Sequence, residues 1–292
     1  LDRPKFSLFA GVILSELILI TLPIGNPQDI TLRALETIRN KDIFFAEDTR
    51  NFKKFLEIQN ISYENKRIDS FHDHSKNKIE HIISFLRDGS DICLVSDAGS
   101  PIISDPAYPL ISEAIFQGFK VNTIPGVTSV VTALELSGLP ANPFHFWGFI
   151  SRNSNERISF FNQKLQIKGT HIFFESPHRV YETIDDFFKV YSDGEITVTK
   201  ELTKTFQTVV RINSTNFDQL KSLIKDKGEF VLLFNTKDAV VEKSINSEIL
   251  KMTDEYLINP STKKLAKILS KITQASQEDI YSRLVRSDKP HK

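Results

Sequence analysis

Apolar residues in this chain fall in short unbroken runs that alternate with segments of helical spacing. Leu17-Ile18-Leu19-Ile20 is continuously apolar, the pattern of a strand buried on both faces of a parallel sheet. The strand reading covers 17–22 and ends in Pro23-Ile24-Gly25-Asn26-Pro27, a tight, proline-clamped loop. Leu32, Leu35 and Ile38 then share one face of a helix that Asp29 or Thr31 caps. Ile43-Phe44-Phe45-Ala46 reads as a second strand, with Glu47-Asp48-Thr49-Arg50 as a polar loop at its carboxyl end. Ile79, Ile82, Ile83 and Leu86 predict a helix capped by Ser75 and stopped at Gly89. Next come the strand Ile92-Cys93-Leu94-Val95, a helix through Leu110, Ile111, Ala114 and Ile115 to Gly118, and a strand over 121–124. Strands and helices alternating at this spacing imply βαβ units and a mostly parallel sheet, complete near Pro125.

Beyond Pro125-Gly126 a helix runs to Leu136, and the texture then changes. Residues 144–149 form an aromatic-rich strand, followed by strand patterns over 171–174, 197–200, 207–212 and 230–234. Helical patterns over 180–190 and 217–224 separate them, which predicts a second α/β domain with a mixed sheet. After about residue 240 only helices are expected, over 245–258, 262–272 and 279–285. The organisation expected is a lead segment (1–16), two α/β domains (17–125 and 126–240) and a helical extension (241–292).

Composition narrows the class without naming it. The 292 residues carry a formal net charge of zero, so no global basic field marks the chain as a nucleic-acid binder, although a local patch is compatible with that balance. Lys263, Lys264, Lys267 and Lys271 on one helix read as a solvated face. The single cysteine, Cys93, excludes disulfides within the chain and zinc clusters, and fits a reducing cytoplasm. Arg3 and Lys5 before the apolar run 8–14 superficially resemble a signal peptide. Ser15-Glu16 interrupts that run, no small-residue cleavage site follows, and the run is too short and polar to span a membrane.

The densest chemistry lies in residues 97–106, where one glycine, two prolines, two aspartates and two serines follow a buried strand directly. No G-x-G-x-x-G, Walker A, G-x-S-x-G or C-x-x-C motif is present. Four polar or glycine-bearing loops remain, over 23–26, 47–50, 97–105 and 125–129, each at a strand's carboxyl end. In a parallel sheet those ends share one edge, so the loops converge on a single cleft. Phe71-His72-Asp73-His74 carries an H-x-H pair, but no further ligand set accompanies it, and no metal is expected. Glu175-Ser176-Pro177-His178-Arg179 follows a strand and begins a helix with Pro177 in its first turn; His178 and Arg179 there suit a phosphate or a carboxylate.

Taken in order, these motifs resemble one family closely. Leu22-Pro-Ile-Gly-Asn, Ala46-Glu-Asp-Thr-Arg50, Val95-Ser-Asp-Ala-Gly-Ser-Pro, Ile103-Ser-Asp-Pro106 and Ser137-Gly-Leu-Pro140 are similar to the ribosomal RNA small subunit methyltransferase I family. Gly148-Phe149, Phe174-Glu-Ser-Pro-His-Arg179, Lys200-Glu-Leu-Thr-Lys204 and Lys227-Gly-Glu-Phe230 extend the resemblance, which covers about residues 17–235. It implies the tetrapyrrole-methylase fold, with S-adenosylmethionine between two α/β domains. It also implies 2′-O-methylation of a cytidine near the decoding centre of small-subunit (16S) ribosomal RNA, and a cytoplasmic homodimer. The cofactor loops implied contain Pro23, Gly25, Asn26, Gly99, Ser100, Ile103, Thr128 and Ser129. The motifs at 47–50 and 175–179 imply substrate handling; from their place on the cleft edge Glu47, Asp48 and Arg50 are the candidate catalytic set, Glu47 or Asp48 as base, with His74, Glu175, His178 and Arg179 as candidate substrate contacts. Departures are concentrated at Thr21-Leu22-Pro23, Pro125-Gly-Val-Thr-Ser129, Thr205-Phe206-Gln207 and Ser151-Arg152-Asn153. The second of these is closer to small-molecule tetrapyrrole methylases, which keeps a precorrin or porphyrin C-methyltransferase as the alternative. A catalytically idle RNA-binding assembly module is the further one.

Overall fold

The computed structural model describes residues 15–71, 76–103, 107–225, 227–235, 261–273 and 276–287. Its first sheet contains β1 (Glu16–Ile20), β2 (Ile43–Ala46), β3 (Arg67–Ser70), β4 (Ile92–Val95) and β5 (Lys120–Ile124), all parallel, in the order β3-β2-β4-β1-β5. The unbroken apolar runs become the neighbouring interior strands β1 and β4, registered Leu17 to Ile92 and Ile20 to Val95. Helices α1 (Leu32–Asn40) and α2 (Thr49–Ile58) cover one face, packing Ala34, Ile38, Phe52 and Leu56 on Ile18, Ile20, Phe44 and Cys93. Helices α3 (Lys76–Arg87) and α4 (Ala107–Phe116) cover the other, packing Ile82, Ile83, Leu110 and Ala114 on Leu17, Phe45 and Leu94. Cys93 lies in this interior, and burial pushes its thiol up to about 12.

The connection from β1 runs one way to β2, and that from β4 runs the other way to β5. A crevice therefore opens between the carboxyl ends of β1 and β4, where ligands bind in open α/β sheets.

The second sheet joins β6 (Phe144–Phe149), β7 (Thr170–Glu175), β8 (Glu195–Lys200), β9 (Thr208–Ile212) and β10 (Phe230–Asn235) in the order β6-β7-β10-β8-β9. Only β6 and β7 are parallel. One face carries α6 (Ser154–Lys164), α7 (Val180–Val190) and α8 (Phe217–Leu223) over a phenylalanine-rich core that includes Phe161, Phe173, Phe187 and Phe234. The opposite face is covered by α5 (Ser129–Ser137), whose Val130, Ala133 and Leu134 meet Ile172, Val231 and Leu233. Ile24, Ile103 and Val127, from loops of the first sheet, join that same cluster and tie the two halves together.

A separate unit contains α9 (Thr262–Thr273) and α10 (Gln277–Ser287). The helix expected over 245–258 and the Ser75 cap lie outside the described residues. No helix among the described residues is long and apolar enough to cross a membrane.

Several local readings change. Leu32 is 86% exposed; the inward face of α1 is built from Ala34 and Ile38, with Thr31 accepting the Ala34 N–H as the cap. Thr49 and Arg50 are not loop residues but the first turn of α2. The helix after β7 begins at Val180, so Pro177 sits in the preceding turn rather than inside the helix. Strand β3 and helix α6 were not anticipated, because β3 is a short polar edge (Arg-Ile-Asp-Ser) and α6 buries an arginine among its apolar positions.

Candidate active site

At the crevice the chain closes on itself. Leu22 and Gly99 exchange both backbone hydrogen bonds at 3.0 Å, an isolated antiparallel bridge that clamps the loop after β1 to the loop after β4. Gly99 holds this position at φ +70°, a conformation unfavourable to other residues. Ser96, almost fully buried, donates its hydroxyl to the carbonyls of Ala98 and Gly99, which fixes the loop from below. Ile103 N–H reaches the Ser100 carbonyl at 3.1 Å, a turn that turns the Ile103 side chain into the shared apolar cluster. Asp105 lies outside the described residues.

The loop after β1 meets the second half of the molecule. Asn26 N–H donates to Thr203 Oγ1 at 2.9 Å. A Cβ on Gly25 would stand 2.5 Å from Lys204 Cγ and 2.7 Å from the Leu202 carbonyl, so only glycine allows this approach. The opposing loop is itself strained, with Glu201 at φ 49° and Thr203 at φ 63°. Lys204 pins it through ion pairs to Glu201 (3.1 Å) and Glu229 (3.0 Å). Nothing in residue type alone singled out Thr203 or Lys204; their place in the Lys200–Lys204 motif was the available signal. Thr128 caps α5 by accepting the Val131 N–H at 3.2 Å, and Ser129 opens the helix.

Beside the clamp lies a carboxylate cluster. Asp97 Oδ1 accepts the Asp48 N–H at 3.0 Å and Oδ2 accepts the Asn51 side-chain amide at 2.7 Å. Glu47 Oε2 accepts the Asp97 N–H at 3.2 Å. The loops after β2 and β4 are thereby stitched together, and Glu47 lines a small, open recess with Phe71, Leu94, Val95, Ser96, Pro101 and Ala107. Asp48 is the cap of α2, accepting the Arg50 N–H at 2.8 Å. Hydrogen bonds from the Arg50 side chain and backbone hold its carboxyl far below the ordinary aspartate range, so it is a weak base. Arg50 is 89% exposed and leaves most of its guanidinium facing solvent.

On the second sheet, the Glu175 side chain is fully buried and accepts from Ser176 N–H, Arg179 Nη2 and Thr183 Oγ1, each at 2.6 Å. Arg179 Nε donates to Ser176 Oγ at 3.0 Å, while its buried Nη1 makes no hydrogen bond. His178 is exposed in the same turn, and His74 lies outside the described residues. Among the described residues no cluster of metal-ligating side chains occurs.

Residues 23–26, 99–103 and 126–129 are thus brought to one crevice, lined by backbone groups, small hydroxyls and the apolar Ile24, Ile103 and Val127. That lining suits a ligand with a planar heterocycle and a short zwitterionic tail, such as S-adenosylmethionine.

Comparison with known proteins agrees with this architecture. Residues 16–218 match the model of the tetrapyrrole (corrin/porphyrin) methylases. The chain is 39% identical over 227 residues to a ribosomal RNA small subunit methyltransferase I of Halalkalibacterium halodurans, covering 77% of this chain and 78% of that one. A protein of the same name from Rickettsia prowazekii is 36% identical, with 81% and 84% covered. Among solved structures, a cobalt precorrin-4 methyltransferase superposes with a TM-score of 0.56 at 16% identity, covering 78% of this chain and 98% of that one, a likeness of fold alone.

Proposed function

Because the chain belongs to the tetrapyrrole methylase family, on its ribosomal RNA small subunit methyltransferase I branch, we propose that it methylates a cytidine ribose 2′-hydroxyl of small-subunit ribosomal RNA near the decoding centre. The observation that supports this most is the Glu47–Asp97–Asp48 cluster, bonded to the same loop that the Leu22–Gly99 bridge clamps over the crevice. S-adenosylmethionine supplies an already activated methyl group when bound. Pro23, Gly25, Asn26, Gly99, Ser100, Ile103, Thr128 and Ser129 are the residues that would hold it.

The protein's own task is positioning, and aligned reactants gain up to about 7–11 kcal/mol of the barrier in favourable cases. A ribose hydroxyl is weakly acidic, so an acceptor for its proton helps. Glu47 fills that role better than Asp48, whose carboxylate is committed to Arg50 and to the α2 cap. Asp48 holds the start of α2 in place, and Arg50, Arg179 and His178 meet phosphates along the RNA. His74 and Glu175 complete the substrate side, Glu175 by orienting Arg179. Residues 17–125 and 126–240 act as the two lobes of each subunit of a cytoplasmic homodimer, with 1–16 as a lead segment and 241–292 as an extension.

The test is methyl transfer from labelled S-adenosylmethionine to isolated small ribosomal subunits, run beside calorimetric titration of the cofactor. Cofactor binding with label in RNA is expected. Label in a tetrapyrrole acceptor instead of RNA would support the precorrin-type alternative, and absence of cofactor binding an idle assembly module.

A further inference from the structure

Strand β6 ends in an irregularity that changes where Phe149 points. Phe146 pairs with Ile172 and Phe149 with Phe174, so three residues on β6 span two on β7, and the extra residue is a bulge. Gly148, at φ +71°, absorbs it. Strict alternation would place Phe149 on the Trp147 side, against the core beneath α6. The bulge turns it onto the face of Phe146 and Phe174, the face that packs on Ile24, Ile103 and Val127 at the crevice. The rings confirm the placement: Phe149 meets Phe174 edge-on at 5.5 Å, and Phe174 meets Phe146 at 4.9 Å. Phe149 is nonetheless 62% exposed. The bulge thus leaves an aromatic ring largely in solvent on the crevice side of the sheet.

Two arginines follow the same edge of the sheet. β6 and β7 are parallel, so the residues after both strands share one edge, and Arg152 is exposed three residues beyond Phe149. Arg179 follows β7 on that edge, held by Glu175 at 2.6 Å with part of its side chain still exposed. The loop carrying Arg152 is anchored from beneath. Arg157, 1% exposed, donates from Nη1 to the carbonyls of Ser151 (3.2 Å) and Arg152 (2.9 Å), and its charge is balanced by Asp186 at 2.7 Å.

An exposed aromatic ring held by a bulge, on a sheet edge that also carries two guanidinium groups, suits an unpaired base flanked by phosphates. We infer that Phe149 is a stacking platform for an unpaired RNA base beside the reacting nucleotide, with Arg152 and Arg179 on its phosphates. This rests on the RNA-methylating reading and names the residue that positions its substrate.

Three variants test it: Phe149→Ala, Phe149→Leu and Phe149→Trp. Binding is read by anisotropy of a fluorescently labelled single-stranded oligoribonucleotide, and turnover by methyl transfer to small subunits. Losing one base–aromatic stack weakens binding roughly 5- to 150-fold. Phe149→Ala and Phe149→Leu should both raise the RNA Kd and KM by a factor in that range, Phe149→Trp should stay within about twofold of wild type, and all three should bind S-adenosylmethionine like the parent. An apolar contact without stacking would make Phe149→Leu equal to wild type, and that result, or unchanged binding in Phe149→Ala, overturns the inference. If the parent binds the oligoribonucleotide but transfers no methyl to subunits, the functional reading fails while the anisotropy series still decides the role of Phe149.

Discussion

Replacing Arg157 with alanine removes the buried guanidinium on which the loop after β6 rests. Arg157 Nε and Nη2 both donate to Asp186 Oδ2, at 2.9 and 2.7 Å, and the two side chains are 1% and 3% exposed. Without Arg157, the Ser151 and Arg152 carbonyls lose a donor and Asp186 keeps only Lys189, at 3.0 Å, and Ser154. Breaking a buried pair from one side costs about 3–5 kcal/mol, and the surviving Lys189 contact argues for the lower end, about 3 kcal/mol. For a chain of this size that lowers Tm by about 6–12 °C. Urea unfolding with linear extrapolation measures the loss.

The same pair sets an acid limit. Burial pushes the Asp186 carboxyl up, but hydrogen bonds from Lys189, Ser154 and Arg157 outweigh it and leave the group below its ordinary value. A depressed carboxylate stabilises the fold above its unfolded pKa, near 3.9, and that contribution fades as pH falls below it. Arg157→Ala should therefore also flatten the acid limb of the stability profile. The double variant Arg157→Met/Asp186→Leu, which removes both charges, should recover most of the loss. A single-variant cost below about 1 kcal/mol, or a double variant no better than the single, refutes the reasoning.

Glu47→Gln should lower single-turnover methyl transfer about 100-fold without changing cofactor affinity, as expected when a proton acceptor is lost. Asp48→Asn keeps a competent helix cap and should retain most of the rate, so a larger loss in Asp48→Asn than in Glu47→Gln would reverse the two roles. His171 is buried and neutral: burial pulls its pKa down to about 4, with its ring nitrogens engaged by Trp147 Nε1 and the Ile167 carbonyl. Its contribution to stability is full above pH 6.5 and is lost as pH falls from there toward 4, because the unfolded state protonates first. Denaturant titrations across that window should show about one proton taken up on unfolding, and His171→Gln should abolish that uptake.

The parts of the fold that sequence revealed are those where one physical signal dominates. β1 and β4 are buried on both faces, and nothing but continuous apolar residues satisfies that environment. The crevice followed from them, since parallel strands bring their carboxyl ends to one edge. Strand β3 has three polar residues in four and forms by pairing with β2, a tertiary cause that local pattern does not carry. Helix α6 was hidden because Arg157 occupies one of its buried positions and is neutralised by Asp186, twenty-nine residues away. Within the site, the glycine loops were legible from composition. The division of labour between Glu47 and Asp48 was not, because it depends on which carboxylate the following helix start consumes. Thr203 enters the crevice only because Gly25 lets two distant loops touch.

The central claim is tested most directly by nucleoside mass spectrometry of small-subunit ribosomal RNA, taken from a strain lacking this protein and treated with the purified chain and S-adenosylmethionine. The account predicts one new modified nucleoside, 2′-O-methylcytidine, with the base unaltered. A base-methylated nucleoside, or RNA unchanged by a chain that still binds the cofactor, would contradict it.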